Sequence, residues 1–160
     1  MIPLIIHQIW IGPNKKPKEW MKTWTESIIK RENWEYILWD EERIKDLDMQ
    51  NRDIYEKETD YACKADILRY EILYQYGGVY IDADIVLLKD EFYLFIEQNQ
   101  NKIFFANEPN QKLIANSIIG AEKENYIMKF IIKSCYHNYM ALRHKYYPYQ
   151  VTGPYLITNL

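Results

Sequence analysis

One feature of the sequence constrains the fold of this chain most. A helical pattern stops at a pair of glycines, and a strand pattern follows at once. From Tyr61 to Tyr76 the apolar residues recur at helical spacing. Gly77 and Gly78 then end the helix, because glycine readily takes the left-handed conformation of a helix C-cap. The sequence GGVYIDADIVLL predicts one continuous strand over residues 77–88.

Two aspartates lie within this strand pattern, and they need an explanation. Strand side chains alternate between faces, so Val79 and Ile81 share one face while Asp82 and Asp84 share the other. Two carboxylates on one face repel each other unless a cation or protons offset their charge. Two interpretations are open: the strand end emerges into solvent and both groups are hydrated, or the pair binds a divalent metal ion.

Strand and helix patterns alternate along the rest of the chain. Strands are predicted at LIIHQIWIG, WEYILWD, KIFFANE and LIANSIIGA, and helices at KEWMKTWTESIIKR, at EERIKDL after an Asp40 N-cap, and over about residues 125–144. This alternation predicts an α/β fold, with a largely parallel sheet flanked by helices, in a single compact domain over residues 1–160. Ligands of such sheets bind beyond the C-terminal strand ends, and Asp84 lies toward that end of its strand.

Composition and charge exclude several classes of protein. The chain is 48% hydrophobic, which indicates a folded core rather than disorder. Its formal net charge of -3 argues against nucleic-acid binding driven by general electrostatics. The two cysteines, Cys63 and Cys135, predict reduced thiols rather than a disulfide framework. Because no apolar run is long enough to span a bilayer and no signal peptide is recognisable, we expect a cytoplasmic protein with no membrane span.

The three histidines do not predict a metal site. His7 is expected to be a packed or hydrogen-bonded strand residue. His137 and His144 lie on or near the last helix and lack a third ligand, which excludes a zinc site there.

Three other features leave structural and functional interpretations open. Asp66 and Arg69 share one face of the helix that precedes the glycines, and they form either a surface ion pair or a face turned toward the aspartates. Trp10 is either a core residue or a ring that stacks on a nucleobase. The tyrosines between Tyr136 and Tyr155 are core, interface or acceptor-site residues.

Three segments, taken in order, resemble the D-x-D, sugar-binding-region glycosyltransferases of family 32. They are IPLIIHQIWIGP, ADILRYEILYQYGGVYIDADI and TGPYLIT, and together they span most of the chain. The family includes yeast-type mannosyltransferases and capsule-type transferases, and the catalytic domains of the large glucosylating toxins are similar at the same points. The resemblance implies a GT-A fold and transfer of a hexose from a nucleotide-sugar donor, a UDP- or GDP-sugar, to a glycan or other hydroxyl acceptor, with retention of anomeric configuration.

The resemblance also implies roles for individual residues at the donor. Trp10 would stack on the base, and Ile9 and Ile11 would offer it backbone hydrogen bonds. Asp66 and Arg69 would hold the donor sugar, and Arg69 would also lie near the diphosphate.

The D-x-D strand supplies the remaining implied roles. Tyr80 would lie beside the sugar-phosphate, and Asp82 would bind ribose and sugar hydroxyls and reach the metal through water. Asp84 would ligate the metal directly. Mn²⁺ or Mg²⁺ suits such oxygen ligands, and a dication stabilises the charge of a departing nucleoside diphosphate. Asp82, Asp84 and Arg69 are therefore the expected catalytic residues.

Two other functions are alternatives to a glycosyltransferase, and one feature of the chain departs from the family. A sugar-nucleotide-binding module would bind a donor without transferring it. A haloacid-dehalogenase-type phosphatase would use the first aspartate of YIDADIV as a nucleophile, but after Asp84 only Asp90 remains for its second aspartate motif. The chain also ends just after TGPYLIT, whereas longer relatives continue over the donor, so we expect either a minimal enzyme or an incomplete lid.

Overall fold

The computed structural model describes residues 1–108 and 112–160, and it consists of one sheet with helices on both faces. The strands are β1 (Ile5–Ile9), β2 (Glu35–Trp39), β3 (Gly78–Ile81), β4 (Phe104–Asn107) and β5 (Ile114–Ala121). The helices are α1 (Lys18–Ile28), α2 (Glu41–Ile44), α3 (Arg52–Lys57), α4 (Tyr61–Tyr76), α5 (Glu91–Gln98), α6 (Tyr126–Leu142), α7 (Pro148–Val151) and α8 (Pro154–Thr158).

The sheet has the strand order β2-β1-β3-β5-β4. Strand β1 pairs in parallel with β2 and with β3, whereas β5 is antiparallel to both of its neighbours, β3 and β4. Four strands therefore run in one direction and β5 alone runs in the other. The predicted α/β fold with a largely parallel, helix-flanked sheet is confirmed.

The alternation of side chains along β3 divides the core into two parts. Val79 and Ile81 face one cluster, in which α1 contributes Trp24 and α5 contributes Tyr93. Tyr80 faces the other cluster, which is built mainly by α4 and α6. The buried residues of these two helices in that cluster include Leu68, Ile72, Met128 and Ile132.

Short polar side chains determine where three helices begin. The Asp40 carboxylate accepts a hydrogen bond from the Arg43 backbone N–H at α2, as the sequence predicts. Asp60 and Asn125 cap α4 and α6 in the same way, each accepting from two backbone N–H groups. Helix α4 spans the residues predicted for it, and the glycine pair ends it as expected.

Gly78 allows α4 and β3 to follow each other without a loop. Its φ is +99°, and a Cβ at this position would lie 2.8 Å from the Ile5 carbonyl oxygen and 2.9 Å from Nε2 of His7. A side chain here would therefore force β3 away from β1. The close pairing of these two strands brings their C-terminal ends together at one edge of the sheet.

The prediction of a continuous strand over residues 77–88 is wrong beyond Ile81. Asp82 still donates its backbone N–H to the Ser117 carbonyl at 2.9 Å, but the Ile85 N–H turns back to the Asp82 carbonyl at 3.1 Å. This turn ends the pairing, and it means that Asp82 and Asp84 do not share the face of a strand. The two carboxylates are thus carried by a turn at the sheet edge.

The sequence analysis also missed four helices, α3, α5, α7 and α8, which have between four and eight residues. Segments this short give little periodicity. Within the described ranges, no helix combines the length and the apolar character needed to cross a bilayer.

His7 of β1 is a buried and hydrogen-bonded strand residue, as predicted. Its Nδ1 accepts a hydrogen bond from Trp39 Nε1 at 3.1 Å, so the ring proton lies on Nε2, which is 2.8 Å from the Gly77 carbonyl oxygen. Burial lowers the pKa of His7 from 6.5 to about 4, although the Gly77 carbonyl opposes the shift. The folded protein therefore holds this imidazole neutral.

We expect the stability of the fold to decrease as the pH falls from 6.5 to about 4. Above pH 6.5 the ring is neutral in both states, but between 6.5 and about 4 only the unfolded chain binds the proton. The free energy of unfolding should fall by about 3 kcal/mol more in the wild type than in His7→Gln. Urea titrations at several pH values measure this difference, and parallel pH profiles for the two proteins would contradict the assignment.

Candidate active site

A cleft lies where the C-terminal ends of β1 and β3 meet the start of α4. Its volume is about 290 Å³. Six of the eight residues that the sequence predicts for the site line this cleft: Ile9, Trp10, Ile11, Tyr80, Asp82 and Asp84. Tyr61, Ala62 and Ala65 of α4 also line it, and no pattern in the sequence singled them out. The cleft occupies the ligand-binding edge expected of a largely parallel α/β sheet.

Arg69 lies behind the cleft and joins two carboxylates. Its side chain is only 6% exposed, and its guanidinium lies 3.0 Å from Oδ1 of Asp66 and 3.0 Å from Oδ1 of Asp82. It also donates to the Asn116 carbonyl at 2.7 Å. The interpretation of Asp66 and Arg69 as a surface ion pair is therefore wrong, because the helix face that carries them turns inward toward Asp82.

Tyr80 contacts both members of the second ion pair. The Arg69 guanidinium carbon lies 4.5 Å from the centre of the Tyr80 ring, within range of a cation–π interaction. The Tyr80 hydroxyl donates to Oδ1 of Asp82 at 2.7 Å. Burial raises the pKa of Tyr80 well above its usual value, so the phenol stays protonated and acts as a donor. These contacts orient Asp82 while leaving its side chain 30% exposed.

Asp66 is buried and accepts hydrogen bonds at both oxygens. Asn116 of β5 donates to Oδ1 and Thr152 donates to Oδ2, each at 2.8 Å. Burial raises the pKa of Asp66, and the Arg69 guanidinium opposes that shift. The pKa of Arg69 itself is raised, because its carboxylate neighbours, Asp82 foremost, outweigh the effect of burial. The arginine is therefore a fixed positive charge.

Sequence reasoning missed the two residues that hold Asp66. Thr152 belongs to the TGP segment that resembles the family, which is a signal for its position but not for its contact. Asn116 gave no signal, because it lies 50 residues from Asp66 in the chain and is brought there by the position of β5 in the sheet.

Side-chain hydrogen bonds to the backbone fix the turn that carries the two aspartates. Gln8 donates its side-chain N–H to the Asp82 carbonyl at 3.2 Å, and Tyr36 holds Gln8 with a 2.7 Å hydrogen bond. Ala83 is buried, whereas Asp84 is exposed.

Within the described part of the chain no three His, Cys, Asp or Glu side chains form a complete metal cage. Two carboxylates at an open cleft do fit a dication whose other ligands are phosphate oxygens and water.

Trp10 is half-buried at the cleft and belongs to neither core cluster. Its backbone N–H donates to the Trp39 carbonyl at 3.0 Å, and its indole N–H donates to the Asn14 carbonyl at 3.0 Å. The Gly12 N–H, two residues on, donates to the Glu41 carboxylate at 2.6 Å. The ring is therefore held at the cleft, which excludes the interpretation of Trp10 as a core residue.

Five of the six tyrosines between Tyr136 and Tyr155 divide into two groups, and the sixth, Tyr146, is exposed. Tyr136 and Tyr139 of α6 pack against the core. Tyr147, Tyr149 and Tyr155 are exposed and contact one another: the first two rings stack and the third packs edge-on. The interpretation of these three as core residues is therefore excluded.

Comparison with known sequences identifies the family. The model of the family "Glycosyltransferase sugar-binding region containing DXD motif" matches residues 17–115, well over half of the chain. The chain belongs to this DXD glycosyltransferase family. The match contains both carboxylates of the turn as well as Asp66 and Arg69.

Curated relatives agree with the family model. The chain is 32% identical over 148 residues to an uncharacterized glycosyltransferase of Acanthamoeba polyphaga mimivirus, covering 85% of this chain and 56% of that protein. It is 35% identical over 88 residues to inositol phosphoceramide mannosyltransferase 3 of Schizosaccharomyces pombe, covering 52% of this chain and 24% of that protein. Mannosyl phosphorylinositol ceramide synthase CSH1 of Saccharomyces cerevisiae is 28% identical over 166 residues, covering 99% of this chain and 42% of that protein. The chain thus spans about half or less of these relatives.

Solved structures share the fold. The PaToxG glycosyltransferase is 20% identical with a TM-score of 0.74, covering 99% of this chain and 68% of that one. The UDP-bound glycosyltransferase domain of the YGT toxin is 14% identical with a TM-score of 0.57, covering 89% and 63%. The DXD family chain described here therefore has a GT-A-like fold.

The buried ion pairs of Arg69 with Asp66 and Asp82, together called the Arg69 cluster, should contribute far more to stability than an exposed ion pair. Arg69→Met leaves Asp66 buried without its charge partner, which should lower the free energy of unfolding by about 3–5 kcal/mol. Lys22→Met breaks the exposed Lys22–Glu26 pair within α1 and should cost less than about 1 kcal/mol. Urea unfolding at pH 7 measures both, and similar losses in the two variants would contradict the buried-pair assignment.

Proposed function

We propose that this domain is a metal-dependent glycosyltransferase that moves a hexose from a UDP- or GDP-sugar to a glycan or other hydroxyl acceptor, with retention of anomeric configuration. The observation that carries the proposal is the position of Arg69 between Asp66 and Asp82, directly behind a cleft at whose mouth Asp84 is exposed. Family membership supports the same reaction.

The charges of the cluster suit a diphosphate-linked sugar. Arg69 stays protonated and lies near the diphosphate, where it attracts a donor whose leaving group gains negative charge. Asp82 accepts hydrogen bonds from sugar hydroxyls and also binds the ribose, whereas Asp66, which is buried and does not line the cleft, contributes to the donor site by holding Arg69. Tyr80 lies beside the sugar-phosphate and keeps Asp82 oriented through its hydroxyl. Trp10 stacks on the base, while Ile9 and Ile11 offer it backbone hydrogen bonds.

The exposed carboxylate of the turn suits a metal ion. Asp84 would bind Mn²⁺ or Mg²⁺ directly and Asp82 would reach it through water, because oxygen ligands suit a hard dication. When bound, the ion stabilises the charge of the departing nucleoside diphosphate as a Lewis acid. The turn held by Gln8 keeps both carboxylates at the mouth of the cleft.

A panel of nucleotide-sugars tests the reaction without knowledge of the acceptor. The panel contains UDP- and GDP-hexoses, including a mannosyl donor because curated relatives are named as mannosyltransferases. Release of free nucleoside diphosphate is measured with and without Mn²⁺. We expect metal-dependent release from one or two donors, and Asp84→Asn should reduce it about 100-fold or more, since a direct metal ligand is lost.

A matched variant separates the site from general charge effects. Asp46→Asn removes an exposed carboxylate outside this cleft and should leave release unchanged. Full metal-dependent release by Asp84→Asn would contradict the metal assignment. Metal-dependent donor binding without release from any donor would favour the alternative function, a sugar-nucleotide-binding module, and release of phosphate from simple esters would favour a phosphatase.

Nucleotide binding tests the role of Trp10. Trp10→Ala should weaken binding of UDP or GDP in the presence of Mn²⁺ by about 1–3 kcal/mol, because a stacking surface for the base is removed. Trp20→Ala is the control, since this tryptophan is exposed on α1 and does not line the cleft. Isothermal titration calorimetry measures both affinities, and equal affinities for Trp10→Ala and the wild type would exclude the stacking role.

A further inference from the structure

Thr152 is the fully buried residue that connects the C-terminal helices to the Arg69 cluster. It follows α7 and directly precedes Gly153 and α8. Its hydroxyl donates to Oδ2 of Asp66 at 2.8 Å, and its carbonyl accepts from the Tyr70 hydroxyl at 2.6 Å. Tyr70 lies one helical turn after Asp66 on α4. Two hydrogen bonds therefore join residue 152 to one face of this helix.

The segment approaches Asp66 closely because residue 153 has no side chain. A Cβ on Gly153 would lie 2.8 Å from the Cα of Tyr149 and 3.2 Å from Oδ2 of Asp66. Contacts this short leave no room for a methyl group against the backbone of α7. The glycine thus lets the Thr152 hydroxyl reach the carboxylate.

Asn116 completes the enclosure of Asp66 from the opposite side. Its side-chain amide donates to Oδ1 of Asp66, and its carbonyl accepts from the guanidinium of Arg69. With Thr152 on Oδ2 and Asn116 on Oδ1, the carboxylate cannot rotate without losing a hydrogen bond in a buried site, which is costly. Arg69 takes its orientation from that carboxylate and from Asp82.

We propose that Thr152 is a positioning residue of the donor site: its hydroxyl fixes the Asp66 carboxylate and, through it, the Arg69 guanidinium. The kinetic part of this inference rests on the proposed glycosyltransferase function, whereas the positioning part does not. Thr152 touches neither the donor nor the metal in this scheme. Residues outside the DXD family match, which ends at residue 115, thereby complete the site.

Three variants test the proposal. Thr152→Val keeps the shape of the side chain and removes the hydroxyl, and Thr152→Ser restores the hydroxyl. Thr158→Val is the matched control, because the Thr158 hydroxyl makes its hydrogen bonds away from Asp66: it donates to the Pro154 carbonyl and accepts from the Ile114 N–H of β5.

The first readout needs no activity. In protein labelled with ¹⁵N-arginine, the Arg69 side-chain N–H signals are assigned by their loss in Arg69→Lys, and their exchange with solvent is followed. We expect exchange to become about 10-fold faster or more in Thr152→Val and to change less than about 2-fold in Thr152→Ser and Thr158→Val. Unchanged exchange in Thr152→Val, or equal acceleration in Thr158→Val, would overturn the proposal.

The second readout is donor turnover in the wild type and the same variants. We expect kcat/KM for the donor to fall about 10- to 100-fold in Thr152→Val, to recover in Thr152→Ser and to persist in Thr158→Val. The Mn²⁺ concentration for half-maximal release should not move, since Asp84 is untouched. If the wild type released no nucleoside diphosphate while Arg69 exchange still depended on Thr152, the proposed function would fail and the positioning role would stand. Normal turnover by Thr152→Val would overturn the kinetic part.

Discussion

The guanidinium of Arg69, enclosed between two carboxylates, is the interaction on which the rest of this structure depends. A buried charge is tolerated only where partners of opposite charge and hydrogen bonds surround it. Here the partners are Asp66, about one turn earlier on α4, Asp82, the residue after β3, and the carbonyl of Asn116 on β5. Each of these elements must take its place for the cluster to be satisfied. The direct passage from helix to strand through the glycine pair is what places Asp66, Arg69 and Asp82 within reach of one another.

The two aspartates of the DXD turn occupy different environments although a single residue separates them. Asp82 is oriented by Arg69 and Tyr80, so most of its charge is offset within the protein. Asp84 is exposed, and the turn bond from Ile85 to Asp82 directs the chain out of the sheet before the second carboxylate. This division removes the repulsion that a continuous strand would impose. One carboxylate is thereby held in place, while the other is open to an external ligand.

Local patterns predicted much of this fold, because they reflect contacts within a few residues. The periodicity of α4, its glycine stop and the Asp40 cap depend on neighbours in the chain, and each was predicted correctly. The end of β3 at Ile81 was not predicted, since the alternation of apolar residues continues past the turn. The short helices α7 and α8 show no period of their own.

The candidate site was likewise predictable only in part. The resemblance to the family indicated six of the residues that line the cleft, but the burial of Arg69 and the partners of Asp66 depend on tertiary packing. Asn116 and Thr152 lie 50 and 86 residues from Asp66 in the chain, and no local pattern encodes such contacts. Pattern reasoning left the Asp66–Arg69 pair open between surface and interior, and only the position of α4 against the sheet decides between them.

The long separation of Thr152 from Asp66 has a consequence for biosynthesis. Translation runs from the N-terminus, so the sheet edge, α4 and the DXD turn all emerge from the ribosome before residue 152 does. Until then Asp66 lacks the donor to one of its oxygens, and the cluster around Arg69 is incomplete. A nascent chain can therefore assemble the sheet edge, α4 and the DXD turn while the Arg69 cluster at the cleft is still unfinished, and that cluster is completed only after residue 152 has emerged.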